Sequence, residues 1–215
     1  MNYISACISS VLIIIGCLSS QAQTKFGIHG GLSTTELKTD EITLTNSQGI
    51  NELKLQLEKA NYGFHFGIFV LAKSDFLFIK PQIQFNSESV DFSVKDIGSS
   101  DSVSKILSET YQRIDIPIQL GVTLGPLRVG VGPVGHFNLN TCSEITDEYD
   151  EYSVQFSDFT FGYILGAGLD IWNFHIDVGY EGNFEKFGDH IVFGGNEYEF
   201  DSSPSRFIAS VGISF

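Results

Sequence analysis

Few residues in this chain could do chemistry, and the local sequence weighs against each of them. Gly130-Val131-Gly132-Pro133-Val134-Gly135 spells G-x-G-x-x-G. A dinucleotide site needs that motif at a strand-to-helix turn whose helix N-terminus receives pyrophosphate. Here Pro133 interrupts it and apolar/polar alternation continues beyond, so a strand is expected and a nucleotide is not. Asp189-His190 offers an acid-base pair, but no placed Ser or second His completes a dyad or triad. Cys142 lies near Glu144, Asp147 and Glu148, whose negative charge opposes thiolate formation. The run Asp147-Glu148-Tyr149-Asp150-Glu151 could attract Ca²⁺ or Mg²⁺, yet it lacks the glycine and ligand spacing of an EF-hand and reads as a solvated acidic loop. No catalytic, cofactor-binding or metal-ligating residue is therefore expected, and no enzyme activity.

Composition excludes further classes. Only 18% of the 215 residues are charged, below the ~25% of ordinary soluble domains. The 22 Gly, 19 Phe and 8 Tyr suit strands and tight turns. A net charge of -14 without a Lys/Arg cluster disfavours nucleic acid as a partner. Residues 1–22 stand apart: Met1 to Cys17 carries no charged side chain, and Val11-Leu12-Ile13-Ile14-Ile15 centres an apolar run that ends in Ser20-Gln21-Ala22. That pattern predicts a signal peptide cleaved before Gln23. Ile14-Ile15-Gly16-Cys17 offers the alternative of a lipoprotein box with an acylated Cys17. Once the leader is removed, Cys142 is alone and no internal disulfide can form.

From residue 23 onward no apolar run reaches the ~18 residues a membrane helix needs, while period-two alternation recurs. It is clearest at Phe207, Ala209, Val211, Ile213 and Phe215. It repeats at Phe174, Ile176, Val178 and Tyr180, along 159–171, 127–139 and 113–124, and near 24–33, 61–72 and 76–90. Phe76 and Phe78 fall out of step with Ile79, Ile83 and Phe85, which predicts a bulge there. Lys73-Ser74-Asp75, Gly125-Pro126 and Trp172-Asn173 read as tight turns, whereas 34–60, 91–109, 140–157 and 185–204 read as long polar loops. Strict alternation of short and long connections is the layout of an outer-membrane barrel, with short turns in the periplasm and long loops outside. The fold expected is all-β, an eight-stranded antiparallel up-and-down transmembrane β-barrel over 23–215. The outer segments (34–60, 87–110, 140–158 and 181–204) hold 22 acidic and 6 basic residues.

Volume decides which face is inside. The interior of eight strands is just wide enough for side chains to fill, and the apolar face carries too many Phe and Tyr to fit. The other face mixes glycine with charged and amide groups: Gly27, His29, Gly31; Gly63, His65, Gly67; Gly130, Gly132, His136. On that face Lys25, Lys80, Arg113, Arg128 and Arg206 meet Asp115, Asp170 and Asp177, which predicts salt bridges across a closed lumen. Aromatic girdles are expected from Tyr62, Phe64, Tyr111, Phe137, Phe159, Tyr180 and Phe207 at the outer end, and from Phe26, Phe76, Trp172, Phe174 and Phe215 at the inner. Pro81, Pro117 and Pro133 predict bulges or distorted lumen-facing sites, since a closed barrel has no edge strand for them.

The strand Tyr111-Gln112-Arg113-Ile114-Asp115-Ile116-Pro117-Ile118-Gln119-Leu120-Gly121 resembles the Y-x-x-I-E-I-P-L-x-L-K strand of the PorT-like outer-membrane β-barrel family. Val129-Gly130-Val131-Gly132-Pro133, Phe161 to Leu169 and the terminal Phe215 resemble that family's later strands, and Gly121 departs from its frequent Lys. The resemblance implies localisation to the cell outer membrane, contact with its lipid and lipopolysaccharide, and insertion by barrel-assembly machinery through the strand ending at Phe215. The function expected is that of a non-enzymatic structural or interaction component of the envelope, with an envelope or secretion protein as partner. The alternatives are an enzyme with its site at the loop rim and a small-solute channel.

Overall fold

The computed structural model describes residues 23–36, 42–45, 51–60, 62–96, 104–143, 152–155, 159–184, 190–193, 196–198 and 205–215. Thirteen strands occur among them: β1 (Gln23–Glu36), β2 (Ile42–Thr45), β3 (Asn51–Ala60), β4 (Tyr62–Lys73), β5 (Leu77–Asp96), β6 (Ser104–Leu124), β7 (Leu127–Ser143), β8 (Tyr152–Gln155), β9 (Phe159–Ile171), β10 (Phe174–Asn183), β11 (His190–Phe193), β12 (Asn196–Tyr198) and β13 (Ser205–Ser214). Eight of them close the barrel in the order β1-β4-β5-β6-β7-β9-β10-β13, with β13 pairing back onto β1. Every neighbouring pair is antiparallel. Skipping the small rim strands, each pairs with its sequence neighbours, so the meander is up-and-down. Residues 1–22, with the expected leader and Cys17, lie outside the described residues.

Alternation sorts the two faces as the volume argument requires. Along β13, Arg206, Ile208, Ser210, Gly212 and Ser214 are buried, while Phe207, Ala209 and Val211 are exposed. The exposed set continues round the wall with Phe66, Ile83, Leu120, Val131, Leu165 and Ile176, an outer surface suited to lipid and costly in water. Glycines on the inner face let the wall approach the filling. A Cβ at Gly168 would lie 2.4 Å from Asp177 Oδ1 and 2.6 Å from Arg128 Nη2.

The short turns follow residue chemistry. Gly125 takes φ +62 ahead of Pro126, in a two-residue turn that only glycine enters without cost. Trp172 does the same at φ 57 without that freedom. Lys25 Nζ donates to the Trp172 carbonyl (3.0 Å) and to Asn173 Oδ1 (3.1 Å), and the Ser214 amide donates to the Asn173 carbonyl (2.8 Å). The third connection is Ser74–Phe76, displaced by one from the expected 73–75, because Lys73 still pairs with Phe78 in the sheet.

Several expectations are corrected. No bulge separates Phe76 from Ile79: β5 keeps one register with β4 from Phe64↔Ser87 to Lys73↔Phe78. Phe78 simply points inward and is buried with Phe69 and Leu71, in room left by Gly121 and Gly130, whose Cβ atoms would come within 2.8 Å and 2.7 Å of its ring. The lumen is thus partly apolar. Register also runs unchanged past Pro81, Pro117 and Pro133. Only Pro117 is buried among the inward residues, while Pro133 is exposed. Tyr111 pairs with Glu88 and follows Arg113 on the lumen-side face, so it leaves the outer girdle. Of the other girdle residues, Tyr62, Phe64, Phe137, Phe159 and Phe207 at the outer end, and Phe26, Phe76, Trp172, Phe174 and Phe215 at the inner, are exposed, while Tyr180 is half-buried.

Where they are described, the expected long loops hold strand. Residues 91–96 and 104–109 continue β5 and β6, paired without interruption from Ser89↔Thr110 to Lys95↔Ser104. The hairpin β2–β3 adds to β5, and β8, β11 and β12 form a separate three-stranded sheet. A membrane strand needs about 9–11 residues. β5 and β6 run to 20 and 21 residues, so at ~3.3 Å per residue their hairpin stands on the order of 20–30 Å clear of the bilayer. Below Glu88 the apolar residues Ile83 and Phe85 are odd-numbered and outward. Above it the apolar residues Val90, Phe92 and Val94 are even-numbered, and register sets Phe92 opposite Leu57 and Leu107, Val94 opposite Leu55, and Leu55 in turn opposite Ile42. On the other parity Ser93 pairs with the exposed Ile106.

Candidate functional site

The polar face of the barrel assembles two charge networks separated by an amide and aliphatic layer. At the end of the barrel that carries the short turns Arg128 bridges two carboxylates, donating from Nε to Asp170 Oδ1 (2.8 Å) and from Nη2 to Asp177 Oδ1 (2.9 Å). Lys73 Nζ donates to Asp170 Oδ2 (2.7 Å) and Lys80 Nζ to Asp177 Oδ2 (2.6 Å). His175 sits between Asp170 (Nδ1, 2.9 Å) and the Ser214 hydroxyl (Nε2, 2.9 Å). Phe69 fills the space beside them: its ring is edge-on to His175 at 5.2 Å, and Lys80 Nζ stands 4.7 Å from its centroid. Arg128 lies over Phe78 at 5.3 Å. Cations held over aromatic faces in this way add to the closure.

The middle layer holds Gln82, Gln84, Gln119 and Ser210 with the buried cluster Val134, Ile164 and Ile208. A cavity of about 20 Å³ remains there, lined in part by Lys80, Gln119, Asp177 and Ser210, room for about one water molecule.

The second network lies toward the opposite end, away from the short turns. Arg206 donates to Glu88 Oε1 (2.8 Å), Glu181 Oε1 (2.6 Å) and Asp115 Oδ2. Arg113 Nη2 reaches both oxygens of Glu88 at 3.2 Å, and its Nε faces Asp115. Asn86 Nδ2 donates to Asp115 Oδ2 (2.6 Å), Ser33 Oγ to Glu88 (3.0 Å), and His136 Nδ1 lies 2.7 Å from Asp115 Oδ1. None of the charged side chains here is more than 6% exposed. Charges this dry attract far more strongly than in water, and their desolvation offsets much of the gain.

Six of the expected lumen charges meet as predicted: Arg113 and Arg206 with Asp115, and Lys80 and Arg128 with Asp177. Asp170 joins the Arg128 end. Lys25 instead caps the Trp172-Asn173 turn. Lys73, Glu88 and Glu181 were not predicted as partners, because Lys73 read as a turn residue and Glu88 as part of a loop. The parity of Glu181 with His175 and Asp177 was the available signal. Gly130 to Gly135 lies within β7, with no helix among the described residues to receive a phosphate. His190 opens β11, whereas Asp189 and the run 147–151 lie outside the described residues. Cys142 belongs to β7 and pairs with Thr110.

A closed eight-stranded barrel with a lipid-compatible wall, aromatic ends and a filled polar lumen defines an outer-membrane β-barrel. The chain belongs to the family described as Outer membrane protein beta-barrel domain, which it matches over residues 8–215, and its place is the cell outer membrane. Among solved structures it is similar to the outer membrane protein OprG from Pseudomonas aeruginosa. That likeness has 14% identity over 91% of this chain and 97% of the other, with a TM-score of 0.54. It is also similar to the outer membrane protein AlkL determined in DMPC lipid bilayers, with 13% identity, 92% of each chain covered and a TM-score of 0.53. At such identities the likeness is one of fold. No functionally curated protein matches the chain.

Proposed function

We propose that this protein is a non-conducting, non-enzymatic barrel of the PorT-like kind that serves the envelope as an interaction component, docking an envelope or secretion protein on its extracellular β-extension. The observation that carries this reading is the register of the strands above Glu88, which sets apolar residues opposite one another: Ile42 with Leu55, Leu44 with Leu53, Leu55 with Val94 and Leu57 with Phe92. A sheet with that pairing standing in water has apolar area to cover, at about 25 cal/mol per Å². The filled lumen beneath argues for a support more than a conduit. The acidic outer segments favour a partner whose contacting rim is basic, since complementary charge speeds encounter and excludes wrong partners.

Face-specific photo-crosslinking in native membranes tests the proposal. A benzophenone side chain at position 94 should give adducts with a second protein, and the same probe at position 93, on the opposite face, should not. Equal labelling at both positions, or none at either together with lipid or ester turnover by the purified barrel, would refute it in favour of the rim enzyme.

A further inference from the structure

Among the buried polar atoms left without a hydrogen-bond partner around this second network are Asn86 Oδ1, Arg206 Nε, His136 Nε2, Glu181 Oε2 and Thr160 Oγ1. The residues of the last three are only 0–2% exposed. A dry polar atom that has lost water without gaining a partner is destabilising, so these three together mark a place that an occupant completes. They are neighbours: His136 and Thr160 are Cα partners across β7 and β9, and Glu181 Oε1 lies 3.9 Å from His136 Nε2. Gly162 keeps the space open, since a Cβ there would lie 3.0 Å from His136 Nε2 and 2.9 Å from Asn183 Oδ1.

We propose that His136 and Glu181 bind a divalent transition-metal ion of the Zn²⁺ class inside the barrel, with the Thr160 hydroxyl or a water completing its shell. Two ligands each about 2.0–2.2 Å from one ion stand no more than ~4.4 Å apart; His136 Nε2 lies 3.9 Å from Glu181 Oε1, which brings the Glu181 carboxylate, with its second oxygen Oε2, beside an ion held on His136. Donor atoms of Asp115, His136 and Glu181 all lie within 4.8 Å of one another. Asp115 is a positioning residue: it takes the Nδ1–H of His136 at 2.7 Å, which fixes the tautomer and presents the Nε2 lone pair. Glu181 divides its oxygens, Oε1 to Arg206 at 2.6 Å and Oε2 to the ion. Three carboxylates (Glu88, Asp115, Glu181) face two guanidiniums (Arg113, Arg206) in this layer, a balance that favours a further cation. The rival occupant is a proton on His136 with a water beside it.

A site this buried must be loaded as the barrel closes. The full chain is therefore refolded in detergent with Zn²⁺, dialysed against chelator, and assayed for metal by mass spectrometry, with heat-modifiable migration reporting folding. One Zn²⁺ per folded barrel is expected, falling at least tenfold in His136→Gln and in Glu181→Gln and unchanged in His190→Gln. Zinc retained equally by the folded His136→Gln and Glu181→Gln variants would mean an adventitious ion only, held by the outer carboxylates. No retained zinc in folded wild-type protein would mean proton and water. Either result overturns the proposal. If a variant fails to fold, wild-type barrel refolded with Co²⁺ decides: a hyperfine-shifted imidazole N–H resonance is expected, and its absence refutes the site.

Discussion

Replacing Arg206 by Met tests whether the second network holds the barrel together. Met keeps most of the stem's bulk and removes the guanidinium that contacts Glu88, Asp115 and Glu181. Arg113 is then the one guanidinium of that network left against three carboxylates, all of them 6% exposed or less. Breaking a buried ion pair from one side costs about 3–5 kcal/mol, because the remaining charge stays desolvated. At ~1.4 kcal/mol per tenfold, the folding equilibrium should fall by roughly two to three and a half orders of magnitude. Urea titration of the barrel in lipid vesicles, followed by the mobility difference between folded and unfolded protein, measures this. Adding Glu181→Gln removes one uncompensated charge, and coupling between contacting residues of ~0.5–3 kcal/mol should return part of the loss. An Arg206→Met barrel within about 0.5 kcal/mol of wild type, the range of ordinary surface substitutions, would refute the reasoning, as would a double variant weaker than the single one by the full cost of a second mutation.

The remaining predictions concern transport, orientation, assembly and export. Planar-bilayer recording of the purified monomer should show no steady single-channel steps, because aqueous channels appear at ~16–18 strands and this lumen is filled by side chains from Phe69 to Arg206. Reproducible steps would move the small-solute channel ahead. An impermeant thiol reagent applied to whole cells should label Cys142, which lies at the end of β7 away from the Gly125-Pro126 turn; labelling only after the outer membrane is opened would invert the orientation. Deleting Phe215, whose amide closes onto the Phe26 carbonyl at 2.8 Å, should sharply reduce the heat-modifiable barrel recovered from the outer membrane, and normal recovery would count against it. Intact-mass measurement should place the mature N-terminus at Gln23, whereas a diacylglycerol-modified Cys17 would favour a lipoprotein.

Period-two alternation was enough, without any structure, to separate the inner face from the outer along 159–171, 174–181 and 207–215, since strand geometry forces successive residues onto opposite faces whatever they pack against. The rhythm of short and long connections likewise implied eight strands. Residues 91–109 read as loop because their Ser, Asp and Lys suggest solvent. Of these, 91–96 and 104–109 are strand, because β5 and β6 pair across them. Phe78 looked out of phase because an inward Phe needs room that Gly121 and Gly130 supply from two other strands. The same limit applies to the site. Parity put Arg113, Asp115, His136, Glu181 and Arg206 on the inner face, but not at one level, and Glu88 was missed altogether. Period two encodes the face a residue takes, whereas its height in the barrel depends on strand stagger, which is set only when β13 closes onto β1. That closure brings Arg206 onto Glu88 across 118 positions of chain and places His136 beside Glu181.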